Sequence, residues 1–523
     1  MAVLFKGPTQ PKGIMVTVDI NIIKEYKFKL NQVKMIVLNL NYKRLLVSLL
    51  TIALVSCSSP WDDRENNGDS NLDVTLNEAI ANTAEVSQFG KLLTQTGYDK
   101  ILAASKTYTV FTPTNEALSQ VDVAILNDAE ALKKFVANHI ALTSFSSVRK
   151  NDQEKIQMLT DKYLIFKGST TIGDATIVTA DHYAANGVFH IINKALAPKL
   201  NIWEYINANK GTSAMSAYLT SLKEFSIYKE DAAAKEKSPA GFLADSLSNS
   251  YLRNVYNLNN EKNSYTLFLM QDDGYNAEVT KMKPYLTKTS NNPLRDSTET
   301  YSMYFTVRDL AFPKAYTKGT LPKTLTSRFG VQFDVDQTQI VGEPIQLSNG
   351  IIYIMKKVDV KLSDRLVPTV IQGEAYTGYG NGSRSSFSYR EIIDPTTQLP
   401  FNDIIAPAPG SAQFYMTYAA KDMYSTTYKV YWRAINDQLT VPISQRLIVG
   451  GKWQLVGTAN MLTNPLKDFG YKDVLVKDYN PFLLGSFDIT QSGNIDLITL
   501  WAGTVAKNPL TIDYLKFVPD VKK

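Results

Sequence analysis

Cysteine is almost absent from this chain, because Cys57 is the single thiol among 523 residues. One thiol cannot close a disulfide within the chain, and it cannot supply the cysteine ligand sets of structural zinc sites. Histidine is nearly as scarce, with three residues in total. Stability must therefore come from the burial of apolar surface, and chemistry based on paired thiols is excluded.

Several motifs that carry catalysis are also missing. The sequence contains no G-x-S-x-G elbow, no P-loop lysine motif and no dinucleotide glycine fingerprint. Asp334 and Asp336 resemble a carboxylate pair, but the alternation of Gln332–Gln337 predicts that both lie on the polar face of a strand. Two carboxylates far apart in the chain would still allow a glycoside hydrolase, which is the less favoured alternative. The sequence predicts a protein that is not an enzyme and has no cofactor.

An apolar run of residues 45–56 follows two cations, Lys43 and Arg44. Its length, about a dozen residues, is too short to span a bilayer but suits the core of a signal peptide. Leu54–Cys57 resembles the lipobox of bacterial lipoproteins, which implies that residues 1–56 are removed and that Cys57 is lipidated. An ordinary secretory signal with an incidental cysteine is the alternative.

Met35 begins a signal sequence of conventional length, so residues 1–34 are predicted to be an over-long gene assignment or to lie outside the fold. Residues 1–56 hold eight cations and two acids, whereas the whole chain has a net charge of +5, so the remainder carries about −1. A chain without a basic field does not attract nucleic acid, and that class of partner is excluded.

Residues 57–72 are polar, acidic and without apolar periodicity, which predicts a flexible tether. The acids that begin at Asp62 resemble the surface-export signal of Bacteroidota lipoproteins. This resemblance implies a protein anchored by lipid in the outer membrane and facing the cell exterior. The opposite face of that membrane is not excluded by the sequence.

Three separated sequence motifs define the next segment. They are the block TVFTPTNEA at Thr109–Ala117, the block NHI at Asn138–Ile140 and the block NGVFHIINKAL at Asn186–Leu196. Their order resembles the fasciclin (FAS1) domain, and the resemblance covers residues 73–200. It implies an α+β fold, in which a small β-sandwich is flanked by helices, and a role in adhesion or in matrix or glycan binding.

The same sequence motifs recur in a weaker form in residues 201–364. Tyr265–Ala277 parallels the first block, and Asn349–Met355 parallels the third. The spacing between the two blocks is similar in both copies, which predicts a second, diverged FAS1 domain in tandem. An insertion of about 31 residues falls within the polar segment 229–263. It is either a contact surface or a solvated excursion.

Residues 365–523 lose helical spacing, and short runs rich in Tyr, Val, Ile and Thr alternate with Gly, Pro, Asn and Asp. This pattern predicts an all-β, jelly-roll-like sandwich. The ending Leu510–Pro519 resembles the closing strand of galactose-binding-like jelly rolls, including carbohydrate-binding modules. Aromatic rings are dense here, and exposed rings would form a platform for sugar rings. The candidate ligand-binding residues are Tyr418, Tyr431 and Trp432.

The three histidines, His139, His182 and His190, all fall in the first fasciclin-like segment. Fasciclin domains carry histidines at such places for packing and hydrogen bonding, and the spacing of His182 and His190 does not suit a metal pair, so no metal site is predicted. Together these observations predict a non-catalytic cell-surface lipoprotein that binds glycan, matrix or a partner protein. The alternative is an accessory subunit of a SusC/SusD-type nutrient-uptake complex, bound to an outer-membrane transporter and its lid lipoprotein.

Overall fold

The computed structural model describes residues 74–103, 107–148, 153–228, 245–290, 296–407, 409, 413–456, 459–504 and 508–521. Cys57, the predicted signal peptide and the predicted tether lie outside these residues. The chain divides into two compact units, one that ends at Leu196 and one that begins at Ala197, with residues 155–165 grouped with the second.

Residues 74–192 combine short helices with one mixed sheet. The helices are α1 (Leu76–Asn82), α2 (Ser87–Thr96), α3 (Tyr98–Leu102), α4 (Asn115–Ser119), α5 (Val123–Asn127) and α6 (Ala129–Ala137). The strands are β1 (Tyr108–Pro113), β2 (Ile140–Ala141), β3 (Glu154–Gln157), β4 (Tyr163–Phe166), β5 (Thr171–Ile172), β6 (Ala175–Ala184) and β7 (Gly187–Ile192). They follow the order β2-β1-β7-β6-β5-β4-β3 in the sheet.

The centre of this sheet is a parallel pair of strands that brings the first and the last of the three sequence motifs together. Strand β1 pairs with β7 from Tyr108 opposite Gly187 to Pro113 opposite Ile192. Both strands are buried along their whole length, as expected of parallel strands covered on both faces. The predicted capping box is also present, because the Thr75 side chain accepts from the backbone of Glu78 while the Glu78 carboxylate accepts from the backbone of Thr75.

The middle region of the second unit, residues 201–364, has helices α7 (Ile202–Ala208), α8 (Ala214–Ser221), α9 (Asp245–Ser248), α10 (Ser250–Asn254), α11 (Asp272–Met282), α12 (Thr298–Val307) and α13 (Leu362–Arg365). Its strands are β8 (Tyr265–Met270), β9 (Ala311–Phe312), β10 (Thr324–Thr326), β11 (Gln332–Asp334), β12 (Ile345–Leu347) and β13 (Gly350–Met355). Four of them form a sheet in the order β12-β13-β8-β9, and β10 pairs with β11.

The middle region repeats the central pairing of the first unit. Strand β8 runs parallel to β13, from Tyr265 opposite Gly350 to Met270 opposite Met355. As in the first unit, a short antiparallel strand flanks the pair, here β9 against β8. The two motifs of the middle region that parallel motifs of the first unit are therefore paired with each other in the same way.

The segment interpreted as an insertion is partly core. Within its described residues, 245–263, Tyr251, Leu252, Val255 and Leu258 are buried. The Tyr251 side chain is fully enclosed, and its hydroxyl lies 3.5 Å from the Val307 carbonyl oxygen. A solvated excursion is therefore wrong for this part, because apolar side chains within the polar run are buried in the core. Residues 229–244 lie outside the described chain.

The C-terminal region is built from strands, as predicted. They are β14 (Thr369–Gln372), β15 (Gly378–Gly380), β16 (Ser388–Ile393), β17 (Pro400–Ala406), β18 (Tyr415–Met423), β19 (Thr427–Arg433), β20 (Ile443–Val449), β21 (Lys452–Val456), β22 (Ala459–Thr463), β23 (Lys467–Val474), β24 (Phe482–Asp488), β25 (Gly493–Ala502), β26 (Leu510–Ile512) and β27 (Tyr514–Pro519). The sheets have the orders β14-β27-β19-β24, β15-β18-β25-β20-β23, β16-β17-β26 and β21-β22. The two largest sheets bury side chains in one shared apolar core.

The middle and C-terminal regions belong to one unit, and polar contacts join them. The Ser425 backbone N–H donates to the Tyr285 carbonyl at 2.8 Å, and the Ser425 hydroxyl accepts from Thr287 N at 2.9 Å. The buried Arg308 guanidinium donates to Asp422 at 3.4 Å. Within the described chain, no helix is both long and apolar enough to cross a membrane.

Candidate ligand-binding surface of the C-terminal region

Two of the three rings predicted to bind a ligand are in the core. Tyr418 is 0% exposed and Trp432 is 1% exposed. The Tyr418 hydroxyl donates to the carbonyl of Gly373 at 3.1 Å, and burial raises the pKa of this hydroxyl well above its ordinary value. The prediction is wrong for both residues because alternate side chains of β18 and β19 point inward, and both rings fall on that inward face.

Tyr431 lies on the opposite face of β19 and is half-buried. Its cross-strand neighbours are Leu483 on β24 and Lys516 on β27. A single ring between an aliphatic side chain and a lysine does not make a platform of several rings. The described residues therefore do not bring the three predicted side chains together on one surface.

Exposed rings are instead found at the edge strand β15 and the segment that follows it. We call the set Tyr376, Tyr379, Arg384, Phe387 and Tyr389 the tyrosine edge. Tyr379 is 39% exposed and Tyr389 is 48% exposed, whereas Phe387 is buried. The Phe387 ring centroid lies 5.4 Å from that of Tyr376 and 5.3 Å from that of Tyr379. Phe387 thus supports two tyrosine rings whose other surfaces reach solvent.

Polar groups are interleaved with these rings. The Arg384 guanidinium lies 4.5 Å from the Phe387 ring and 5.2 Å from the Tyr389 ring, and it donates to the Phe387 carbonyl at 3.0 Å. The hydroxyl oxygens of Tyr389 and Tyr376 are 3.5 Å apart. This hydrogen bond is the main reason that the pKa of Tyr389 is raised, and the negative charge of Glu374 adds a smaller contribution.

The chemistry of the tyrosine edge suits a polyhydroxylated ligand. Aromatic faces pack against the apolar C–H faces of sugar rings, while phenol and guanidinium groups form hydrogen bonds with hydroxyls. Tyr376, Tyr379 and Tyr389 were among the dense aromatics of the sequence, but Arg384 and Phe387 were not recognised. A usable signal was the Gly-Asn-Gly-Ser turn at 380–383, which lets the chain after β15 fold back over it.

A second aromatic cluster serves packing. On the outward face of the five-stranded sheet, Tyr415 of β18 pairs with Trp501 of β25, and Trp453 of β21 contacts both. The ring centroids of Tyr415 and Trp501 are only 4.5 Å apart. The Tyr415 ring also covers Gly380, where an added Cβ would lie 2.3 Å from the ring. These rings pack against one another, so less of their aromatic surface is available to a ligand.

The histidines of the first unit are structural, as predicted. His139 is fully buried, and its Nδ1 lies 2.8 Å from the Phe135 carbonyl while its Nε2 accepts from Leu196 N. Burial lowers the pKa of His139 to about 4. The Nε2 of His190 lies 2.8 Å from the Phe145 carbonyl, and burial lowers its pKa as well. His182 stacks on Phe189 at 4.6 Å.

No group of three or more histidine, cysteine or acidic side chains placed to hold a metal ion occurs in the described part of the chain. Asp334 is exposed, and its carboxylate accepts from the Thr324 hydroxyl across β10 and β11. Asp336 accepts from the Thr338 backbone and hydroxyl, so it begins a helical turn. Hydrogen bonds to these neighbours lower the pKa of Asp336. Both acids therefore have local structural roles on the polar face that their alternation predicted.

Comparison with known proteins identifies one part of the chain. Residues 84–198 match the model of the fasciclin domain. The transforming growth factor-beta-induced protein ig-h3 of rabbit (Oryctolagus cuniculus) is 27% identical over 165 residues. This match covers 26% of the chain and spans only 23% of the length of the rabbit protein.

Two solved structures also align with part of the chain. A FAS1 domain pair from the insect cell adhesion molecule Fasciclin I is 15% identical, and the alignment covers 54% of this chain and 98% of that one, with a TM-score of 0.22. The CBM36-1 domain of a multidomain xylanase from the hindgut metagenome of Trinervitermes trinervoides is 16% identical, with coverage of 30% and 100% and a TM-score of 0.20. By the family match, residues 84–198 of this chain are a fasciclin domain.

Proposed function

We propose that this protein is a non-catalytic, lipid-anchored binding protein of the cell surface, and that its C-terminal region binds glycan at the tyrosine edge. The observation that carries the proposal is the pair of exposed rings of the tyrosine edge, where Tyr379 packs on the buried Phe387 and Tyr389 lies beside Arg384. Single exposed apolar residues are common, but a contiguous patch of aromatic rings rimmed by polar groups is typical of a binding site. The anchor at Cys57 and the outer-membrane location follow from the lipobox resemblance alone.

The repeated pairing in residues 201–364 supports a second, diverged fasciclin domain in this proposal. Strands β8 and β13 reproduce the register of β1 and β7, and the two capping boxes at Thr75 and Asn201 open equivalent helices. The contacts around Ser425 join the C-terminal sandwich to this second copy.

A glycan array with the full chain in mild detergent tests the binding proposal. We expect binding to at least one polysaccharide, and we expect the double variant Tyr379→Ala, Tyr389→Ala to bind about tenfold more weakly or worse, since each stacked ring contributes roughly 1 kcal/mol. Tyr431→Ala is the matched control, because it removes a half-buried ring from another sheet. The absence of any bound glycan, or equal loss in the control, would refute the proposal.

The accessory-subunit alternative makes a different prediction. A pull-down through a C-terminal tag in mild detergent would then recover a transporter barrel and its lid lipoprotein in stoichiometric amounts. A protein that elutes alone favours glycan or matrix adhesion. Recovery of the transporter together with an inert tyrosine edge would replace the proposal by the alternative.

A further inference from the structure

The middle region contains a cavity that the glycan proposal does not use. It has a volume of about 630 Å³, opens to solvent and lies where the ends of β8 and β13 meet α7, α8 and α11. We call it the bowl. Its lining residues are Tyr205, Asn209, Thr212, Ser213, Leu269, Met270, Gln271, Asp272, Asp273, Ile354 and Lys356. The volume falls within the range of roughly 300–1,000 Å³ that is usual for small-molecule sites.

In the first unit the equivalent position, after the first strand of the parallel pair, is occupied by Asn115. There the Asn115 side chain accepts from Gln88 N at 3.0 Å through Oδ1 and donates to the Ala84 carbonyl at 2.9 Å through Nδ2. In the middle region Asp272 takes the place of Asn115, and its Oδ1 accepts from Ala214 N at 2.9 Å. A carboxylate has no N–H to donate, so Asp272 cannot form the second of these two contacts.

This single exchange of an amide for an acid changes what the site can bind. The second oxygen of Asp272 has no hydrogen-bond donor among the described residues, and the exposed Asp273 adds another acceptor beside it. Lys356, which follows the end of β13 at the same edge of the sheet, also lines the bowl and carries an ammonium group that can donate. The rim therefore offers both hydrogen-bond acceptors and a donor. A divalent cation needs only acceptor oxygens, whereas vicinal hydroxyl groups both donate and accept hydrogen bonds and so match this rim.

The base of the bowl is apolar. Leu269 and Met270 are buried, Ile354 is half-buried, and the Tyr205 ring forms part of the wall. An apolar base under a polar rim matches a sugar ring, which has C–H faces and a girdle of hydroxyls. We propose that the bowl binds one or two units of a glycan, as a second site separate from the tyrosine edge.

This inference extends the proposed glycan-binding function, but it can fail or succeed independently. Saturation-transfer NMR of the full chain with the methyl glycosides of glucose, galactose and N-acetylglucosamine tests it. The measurements use the background Tyr379→Ala, Tyr389→Ala, so that signal from the tyrosine edge is removed. We expect transfer to at least one glycoside at millimolar concentration.

Two variants in that background locate the binding. Asp273→Ala removes an acceptor, and Asp272→Asn replaces one carboxylate oxygen by an N–H donor like the one that Asn115 carries in the first unit. We expect each to weaken binding at least tenfold while the thermal midpoint stays within a few degrees. Asp473→Asn, an exposed acid on β23, is the matched control and should change nothing.

Three results would overturn the proposal. They are the absence of transfer to any of the three glycosides, transfer that Asp272→Asn and Asp273→Ala leave unchanged, and a thermal shift with calcium chloride without glycoside transfer. The last result would make the rim a cation site. Loss of array binding in Tyr379→Ala, Tyr389→Ala with retained transfer to the bowl would support both sites separately.

Discussion

The side chain of Asn349 holds the start of helix α7, because its Oδ1 accepts a hydrogen bond from Ile202 N at 2.9 Å across 147 residues of sequence. Asn186 makes the same bond to Leu76 N at 2.8 Å in the first unit. Each asparagine begins the turn before a central strand, so one side chain joins the entry helix to the sheet. This shared hydrogen bond explains why an Asn-Gly pair occurs before the central strand in both regions.

Replacing Asn349 by alanine should therefore destabilise the second unit. The variant loses the bond to Ile202 N and also those that Nδ2 donates to the carbonyls of Leu258 and Asn260. Buried groups left without partners should lower the free energy of unfolding by about 2–4 kcal/mol. Urea unfolding followed by tryptophan fluorescence measures this. Asn276→Ala, at an exposed helix position, should change the value by less than about 0.5 kcal/mol.

Gly350 should tolerate no side chain at all. A Cβ at this position would lie 2.1 Å from the Tyr265 carbonyl oxygen, and one at Gly187 would lie 2.3 Å from the Tyr108 carbonyl oxygen. The parallel pair of β8 and β13 would have to separate, so Gly350→Ala should lower the free energy of unfolding by about 3 kcal/mol or more. Gly211→Ala, where nothing lies within 4 Å of the added Cβ, is the control. Equal midpoints for the two variants would contradict the close packing.

Acid should destabilise the first unit through His139. Burial lowers the pKa of this ring to about 4, so the folded state binds fewer protons than the unfolded state between pH 4 and 6.5. Stability is therefore present above pH 6.5 and is lost as the pH falls toward 4, by about 3 kcal/mol from this residue.

NMR titration of the histidine rings measures the effect directly. The His139 signal should not shift until the pH approaches 4, and His139→Gln should reduce the acid sensitivity of the first unit. His182→Gln, which alters a half-buried histidine of the same unit, is the control. A midpoint near 6.5 for His139 would show that the ring is open to solvent.

Asp513 should act in the opposite direction in the C-terminal region. Burial raises its pKa to about 6, although the Arg433 guanidinium, which donates to it at 2.7 Å, opposes this shift. Between pH 4 and 6 the folded state binds more protons, so this carboxyl makes the protein less stable as the pH rises through that window. The free energy of unfolding of the second unit, compared between wild type and Asp513→Asn at pH 5 and pH 7, should show the difference. Asp473→Asn should leave it unchanged, and an identical pH dependence in Asp513→Asn would contradict the assignment.

Local patterns were enough to predict the elements of this fold. Some patterns specify structure over only a few residues. Examples are the capping residue Thr75, the apolar motifs of β1 and β7, and the alternation of the C-terminal runs. Each of these elements was found where it was expected. The weak repeat after Ile202 was also visible, because the pairing of β8 with β13 constrains the same residues.

Which side chains face solvent was decided only by the tertiary structure. Alternation indicates that half of the tyrosines in β18 and β19 point inward, but it does not say which half until the sheets pack, and so Tyr418 and Trp432 were placed on the wrong face. The burial of Tyr251 in a polar run and the grouping of Tyr379, Arg384 and Tyr389 likewise depend on residues brought together by folding. Short-range periodicity therefore determined the secondary structure of this chain, whereas long-range packing determined its surfaces.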